Sequence, residues 1–289
     1  MPIPFQIVDS INVAGNINNE ICGEKIVDFI KSIPMYMEKS TLISPPAKEI
    51  KSTISAFIES YSLIYPDLEN QDSSQIVCVK NKEKEQMDLT SMFIRLNKIG
   101  FEYQGVIKEI YFQEDSMEAI INFEHNEHEL YFFDLDFVKN CRNYVSNNPV
   151  KAVIYGIAHD VELVDKNLTQ TITINENIAP IFKKEVGETV DIIVGQMRCC
   201  FASADIIEDG YKIYEFHGKI HCVQAVELSL TETQGWICAV DLLWHGDNEP
   251  SENDLLEIYI PKHSWKENKA PAVDDYLSGI ITLCGFVKI

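Results

Sequence analysis

Apolar residues follow two different spacings along the chain, and the spacing changes near residue 100. Before that point they recur every three or four positions, which is the period of an amphipathic helix. The first such run places Cys22 and Phe29 on one helical face and should stop before Pro34. Two more helices are predicted, one over residues 44–66 and one over residues 88–100, where Gly100 would supply the C-terminal cap.

From residue 101 onward the pattern has a period of two and is rich in Ile, Val, Phe and Tyr, which is typical of β-strands. Polar clusters and glycine-containing turns separate these strands, and one short strand, 76–79, is predicted before them. The predicted strands after residue 100 are 103–111, 118–123, 129–135, 150–164, 169–174, 189–197, 211–226, 234–244, 255–260 and 276–289. We therefore expect an α+β protein with a mainly helical region over residues 1–100.

Two segments of the β-rich part have similar sequences. Residues 102–107 read E-Y-Q-G-V-I, and residues 215–220 read E-F-H-G-K-I. Each segment leads into an extended apolar run, a polar connection and a glycine-containing strand, a pattern that indicates a duplicated small β-module. Two pairs of glycines should then be equivalent: Gly105 with Gly218 in the first strands, and Gly156 with Gly279 in the last strands.

This internal similarity predicts a first module over residues 101–165 and a second module over residues 214–289. The β-rich middle segment, 166–213, is open to interpretation as a degenerate third copy. Short strands broken by single glycines favour small barrels over flat sheets. The second module resembles an OB-like barrel in strand and loop order, because residues 261–268 supply a short connection between its third and fourth strands. The predicted fold is an N-terminal helical region followed by tandem OB-like small β-barrel modules.

The negative charge lies mostly in the two modules. The chain has 45 acidic and 24 basic residues, a net charge of −21. Residues 102–165 hold 13 acidic and 4 basic residues, and residues 214–289 hold 12 and 5. Nucleic-acid phosphates are bound by clustered Lys and Arg, so direct binding of nucleic acid is disfavoured. The acid either keeps the protein in solution or forms a face for a protein partner with a basic surface.

The eight cysteines contain no C-x-x-C motif, which fits a reducing compartment in which most of them are buried small hydrophobes. The first residues lack the basic and apolar regions of a secretory signal. The longest apolar runs are far shorter than the roughly 20 residues of a membrane-spanning helix. We therefore expect a cytoplasmic protein without a membrane span, and we leave its oligomeric state open.

Cysteine and histidine pairs give little sign of catalytic or metal chemistry. His217 and His221 have zinc-ligand spacing only on a helix, whereas their sequence context is that of a strand. The adjacent Cys199 and Cys200 point to opposite faces of a strand, and no general base can be identified for either.

Acidic clusters give equally little sign of catalytic or metal chemistry. Residues 245–254 are dense in oxygen ligands but lack the spacing of an EF-hand loop. Asp134 and Asp136 share a strand face but lack the other residues of a metal-dependent phosphotransferase site, so we interpret them as a polar strand edge. No catalytic residue, cofactor or metal site is predicted.

The best candidates for partner binding lie in the second module. Trp265 stands in a polar stretch, is expected to be partly exposed, and belongs to a residue type that often anchors interfaces. The candidate partner-binding residues are Trp265, His263, Tyr259, Glu252, Asp254 and Glu257.

Three functions stay open. The first is a non-catalytic acidic interaction protein, of the inhibitor or immunity type, that binds a protein partner and mimics nucleic acid toward it. The second is an OB-type binder of single-stranded nucleic acid or another ligand through exposed aromatic residues. The third is an enzyme, for which the residues offer no specific support.

Overall fold

The computed structural model describes residues 5–8, 11, 13–43, 47–48, 57–81, 87–126, 128–145, 148–177, 179–196, 198–202, 213–243, 251 and 254–289. The helices are α1 (Val13–Cys22), α2 (Ile26–Lys39), α3 (Phe137–Asn140) and α4 (Ala179–Phe182). The strands are β1 (Phe5–Ile7), β2 (Thr41–Leu42), β3 (Ala47–Lys48), β4 (Phe57–Tyr65), β5 (Asp72–Asn81), β6 (Met87–Leu96), β7 (Phe101–Gln113), β8 (Glu118–His125), β9 (His128–Asp134), β10 (Pro149–Val164), β11 (Thr169–Thr173), β12 (Thr189–Ile193), β13 (Cys199–Ala202), β14 (Ile213–Glu227), β15 (Gln234–Val240), β16 (Leu256–Pro261) and β17 (Tyr276–Lys288). An N-terminal helical segment followed by a largely β body makes this an α+β fold, as predicted.

The helical segment runs from Val13 to Lys39, with a 3-10 turn between α1 and α2. The Asn18 side chain holds α1 against β6, since its amide donates to the Met92 carbonyl and accepts from a β6 backbone N–H, each at 2.8 Å. The expected stop before Pro34 is wrong, because Pro34 lies on the exposed side of α2, where water can satisfy the carbonyl that loses its partner. No described helix is long and apolar enough to cross a membrane.

The N-terminal sheet is formed by β2–β6, with β4, β5 and β6 pairing antiparallel. The predicted helix over 88–100 is wrong, because β6 is a strand. The predicted helix over 44–66 is wrong where it meets β4; most of its first half lies outside the described residues. The predicted strand 76–79 is confirmed within β5. The described part of residues 1–100 is therefore not mainly helical.

The main sheet contains β1, β7–β10 and β13–β17. We call β7–β10 with α3 the first unit, and β14–β17 the second unit. In each unit the first three strands form an antiparallel meander, and the fourth strand pairs antiparallel with the first. The third strand of each unit pairs parallel with the fourth strand of the other unit. The two fourth strands, β10 and β17, pair antiparallel with each other.

The first strands of the two units correspond residue by residue. A bulge follows Ile107 in β7 and Ile220 in β14, each time opposite the second strand of its unit. Gly105 and Gly218 lie two residues before these bulges, so they occupy equivalent positions. A Cβ atom on Gly105 would lie 2.1 Å from the backbone oxygen of Glu124, and this close approach requires glycine.

The glycines of the last strands are not equivalent, contrary to the prediction. Val150 pairs with Gly105 and Leu277 pairs with Gly218, so Val150 corresponds to Leu277 and Gly156 corresponds to Leu283, with which it also pairs. Gly279 corresponds to Ala152, since these two residues pair with equivalent positions of β14 and β7. The origin of the two units by duplication stays a hypothesis.

The tandem OB-like barrels are not confirmed. Because each third strand bonds to the fourth strand of the other unit, neither unit completes its sheet alone. The main sheet begins at β1 and ends at β13, and β11 and β12 of the middle segment form a separate two-stranded sheet. The proposed domain boundaries stay a prediction.

One hydrophobic core joins the N-terminal sheet, α1 and the main sheet. Phe93 of β6 meets Phe133 of β9 edge to face, with ring centroids 5.0 Å apart. Burying a phenylalanine side chain contributes about 1.5 to 3 kcal/mol relative to leaving it exposed. The N-terminal sheet is therefore packed on the first unit, and it also contacts the second unit, because Asp72 of β5 accepts from the Ser229 backbone N–H at 2.8 Å and from its hydroxyl at 2.9 Å.

Candidate interaction groove

An open groove crosses the face of the main sheet where β10, β17 and β14 lie side by side. Glu162 of β10 pairs with Ser278 of β17, which pairs with His217 of β14. Asp160 lies two residues before Glu162 on β10, and Glu215 lies two residues before His217 on β14. These two carboxylates therefore lie on either side of β17. Side chains two apart on a strand point to the same face, so all five residues share the floor of the groove.

Two adjoining cavities make up the groove. The larger, about 470 Å³, is lined by His217, and the smaller, about 220 Å³, by Asp160 and Glu215. Glu162 and Ser278 line both cavities, which makes the floor continuous. The larger cavity is in the size range of ligand-binding clefts.

The β11–β12 hairpin supplies an apolar wall. Leu168, which is 50% exposed, and Val194 line the larger cavity beside the acidic floor. The Gly195 backbone N–H donates to the Leu168 carbonyl at 3.1 Å, and His217 Nε2 lies 3.3 Å from the Gly195 carbonyl oxygen. The base of the hairpin is thereby tied to the floor.

The floor carries more negative than positive charge. Lys266 Nζ lies 2.7 Å from a carboxylate oxygen of Asp160 and 3.7 Å from one of Glu162. The hydrogen bond to Asp160 raises the pKa of Lys266, which therefore stays charged. Within the described part of the chain, the Glu215 carboxylate has no cationic partner. The floor thus carries three carboxylates and one lysine, and Asp165 is a fourth carboxylate that lines the larger cavity.

The equivalent face of the first unit is charge-compensated. Glu102 occupies the place of Glu215, and its carboxylate accepts from Lys151 at 2.6 Å and from Lys288 at 2.7 Å. These two hydrogen bonds lower the pKa of Glu102 to about 2. In the second unit, Ser278 stands in place of Lys151, and Glu162 stands in place of Lys288.

The predicted anchor Trp265 is not an exposed side chain. It is only 8% exposed, and its indole N–H donates to the Lys269 carbonyl at 2.7 Å. A parallel bridge to Val161 draws this stretch onto β10, which the polar sequence around Trp265 did not indicate. Tyr259 is fully buried.

The other candidates for partner binding are engaged in the fold or lie outside the described residues. The Asp254 carboxylate accepts from the Ser251 backbone N–H and hydroxyl, both at 2.7 Å. Glu257 is half-buried and accepts from a backbone N–H at 2.6 Å, and burial raises its pKa. His263 is exposed, and Glu252 lies outside the described residues. None of the five described candidates lines the groove, and their role in partner binding stays a prediction.

The sequence did not reveal the buried Asp241, because it continues an apolar strand. Asp241 Oδ2 lies 2.6 Å from Arg198 Nε and 3.1 Å from His221 Nε2, and Oδ1 accepts from the Lys219 backbone N–H at 2.7 Å. Asp241 therefore holds β14 in place structurally, and His221 is one of its partners.

One cysteine, Cys199, lines the groove. Cys199 borders the groove opposite His217, but burial raises the pKa of its thiol and disfavours the reactive thiolate. Among the described side chains, no group of three or more His, Cys, Asp or Glu residues is placed to hold a metal ion.

Asp134 and Asp136 are not on a polar strand edge, and that interpretation is wrong. They are only 3% and 5% exposed, and Arg95 Nη1 lies 2.6 Å from Asp136. The N-terminal sheet covers this corner. Sequence reasoning could not place the pair inside because it assigned β4 and β6 to helices.

No protein-family model, curated protein or solved structure matches this chain. The groove must therefore be interpreted from its own residues.

Proposed function

We propose that this protein is a non-catalytic acidic interaction protein that binds a basic segment of a protein partner in the groove of the second unit. The observation that carries the proposal is the net negative charge of Asp160, Glu162 and Glu215 on a continuous floor, which Lys266 compensates only in part. The face of the first unit, built on the same strand pairing, is neutralised by two lysines. The acidity of the groove is thus a local property and not only a share of the net charge.

The apolar wall specifies the partner further. Leu168 and Val194 stand beside the carboxylates, so the groove suits a segment in which Lys or Arg alternates with apolar residues. A protein of the inhibitor or immunity type would use such carboxylates in place of nucleic-acid phosphates toward a basic target. A cytoplasmic location is consistent with this role and is part of the proposal.

We also infer that each unit is OB-like, with its fifth strand supplied by the other unit. The support is the pairing order: β7, β8, β9, β17 and β10 are successive neighbours, and β10 also pairs with β7. OB-like faces often bind single strands of nucleic acid. The acidic floor argues against that ligand here, because phosphate binding needs clustered basic residues.

The test is a fluorescence-anisotropy titration with a labelled peptide of alternating Arg and Leu, an acidic peptide of matched length, and single-stranded DNA. Only the basic peptide should bind, and added salt should weaken its binding. The triple variant Asp160→Asn, Glu162→Gln and Glu215→Gln should weaken it about tenfold, since three exposed contacts of roughly 0.5 kcal/mol each amount to about one factor of ten.

The matched control removes three exposed carboxylates of the helical segment: Glu24→Gln, Asp28→Asn and Glu38→Gln. It changes the net charge by the same amount and should leave affinity within about twofold. Equal losses in both triple variants would mean that the acid acts through net charge alone. Binding of the DNA in preference to the peptide would favour the OB-type binder instead.

A further inference from the structure

A buried polar cluster lies where the N-terminal sheet meets the corner between β9 and α3. We call it the Asp134 cluster, and its members come from β5, β6 and the corner itself. None of them is more than 5% exposed. The cluster consists of Gln75, Arg95, Asp134, Asp136 and Tyr144.

Hydrogen bonds connect the cluster across the interface. Arg95 Nη1 donates to Asp136 at 2.6 Å and to the Gln75 side-chain oxygen at 3.0 Å. The Gln75 amide donates to the Leu135 carbonyl at 2.5 Å, which ties β5 to the corner. The Asp136 backbone N–H donates to Asp134 at 3.1 Å, and the Tyr144 hydroxyl donates to the other Asp134 oxygen.

The charges of the cluster do not balance. Asp136 has Arg95 at 2.6 Å and Lys139 at 3.5 Å, so its negative charge is paired. Among the described residues, Asp134 accepts from two neutral donors, the Tyr144 hydroxyl and the backbone N–H of Asp136, and the nearby Arg95 is hydrogen-bonded to Asp136 instead. A buried charge without a counter-charge is costly, so the ionised form of Asp134 is the unfavourable one.

The other titratable groups around Asp134 keep one charge state near neutral pH. Burial raises the pKa of Tyr144 well above its ordinary value and that of Cys141 to about 11. Tyr155 of β10 and Cys284 of β17, on the far side of Arg95 and β9, also have their pKa values raised by burial. Burial raises the pKa of Asp134 to about 7, so Asp134 alone among these groups changes charge in the neutral range.

We propose that the Asp134 cluster is a pH-sensitive latch between the N-terminal sheet and the first unit. With Asp134 protonated, the corner stays packed on β5 and β6. With Asp134 ionised, the added buried charge loosens that contact. Since the folded state binds this proton more tightly than the unfolded chain, the latch is closed in mild acid and opens as pH rises through neutral.

Hydrogen exchange followed by mass spectrometry on the intact protein tests the latch at about pH 5.5 and pH 8.5, with times scaled for the intrinsic exchange rate. Peptides covering β5, β6 and residues 134–144 should exchange several-fold faster at the higher pH, because local opening sets their exchange. The variant Asp134→Asn keeps the acceptor without the charge and should remove the difference. Equal protection of the wild type at both pH values would overturn the proposal.

The matched control is Glu118→Gln. Glu118 is also a buried acid with a pKa raised by burial, but it bonds to Ser91 and to α1, away from the corner. This variant should leave the pH difference at residues 134–144 intact. If Asp134→Asn does not fold, a carboxyl-carbon NMR titration of the wild type still decides the matter: an Asp134 carboxyl that titrates below about pH 5 refutes the latch.

Discussion

The first and second units share one pattern of strand pairing but differ in what covers them and in the charge they present. In the first unit, Glu102 is held by Lys151 and Lys288. In the second unit, the equivalent Glu215 lies beside a serine and further carboxylates. Backbone hydrogen bonds set the scaffold in both units, because they do not depend on these side chains. The side chains on the accessible face can therefore differ between the units without changing the scaffold.

The corners after the third strands differ in the same way. In the first unit the corner holds Asp134 and Asp136, and the N-terminal sheet buries both. The corresponding positions of the second unit are Ile260, which is fully buried in the core, and Lys262, which is exposed. A buried polar corner therefore accompanies a sheet that supplies Arg95 as its partner. The two corners therefore differ in polarity, although the N-terminal part of the chain contacts the second unit as well, through Asp72 and Gly23.

The largest effect should come from breaking the buried corner of the first unit. Arg95→Ala leaves Asp136 buried without its guanidinium partner and should lower the free energy of unfolding by about 3 to 5 kcal/mol. Urea denaturation at neutral pH measures this. Lys266→Ala, on the exposed groove of the second unit, is the matched cation removal and should change stability little. A loss for Arg95→Ala no larger than that for Lys266→Ala would contradict the contrast between the units.

An intermediate effect should appear at the two equivalent glycines. A Cβ atom on Gly105 meets a backbone oxygen at 2.1 Å, whereas one on Gly218 meets the side chains of Leu242 and Val240 at 2.6 and 2.7 Å. Side chains can shift more easily than paired backbone, so Gly218→Ala should cost about 1 to 3 kcal/mol and Gly105→Ala more. Urea denaturation of both variants gives the order. The reverse order would show that the two positions are not packed as described.

The smallest effect concerns the charge on the accessible faces. Glu102 should titrate near pH 2 in a carboxyl-carbon NMR experiment, because two lysines favour its ionised form. The double variant Lys151→Ala with Lys288→Ala should raise this pKa toward the ordinary value of 4.5. Added salt should act in the same direction, since all three side chains are partly exposed. An unchanged titration in the double variant would mean that the lysines do not compensate Glu102.

The sequence was sufficient for the strands of both units, and it failed for β4 and β6. In β4 the buried residues Ser60 and Ser62 are polar, whereas Tyr61 and Leu63 are apolar and only half-buried. In β6 every residue from Phe93 to Leu96 is buried. Neither strand therefore shows the alternation of buried apolar and exposed polar residues that identifies a strand. The remaining apolar residues of β4 and β6 then fit a helical period equally well, and both strands were assigned to helices.

The candidate site was predictable only in its chemical character. The excess of acid in residues 214–289 indicated a basic partner, but the groove also uses Asp160 and Glu162, which belong to the first unit. They reach it because β10 pairs with β17 of the second unit, a long-range register that no local pattern encodes.

What the sequence determined by itself is local: the helical segment near the N-terminus, the strands from Tyr103 onward, and the equivalence of Gly105 and Gly218. Each follows from periodicity or from the backbone freedom of glycine, which act over a few residues. Only the tertiary structure decided which carboxylates are buried, paired or left facing the groove. The energy of a charge depends on its distance from other charges and from water, and the long-range pairing of strands sets those distances.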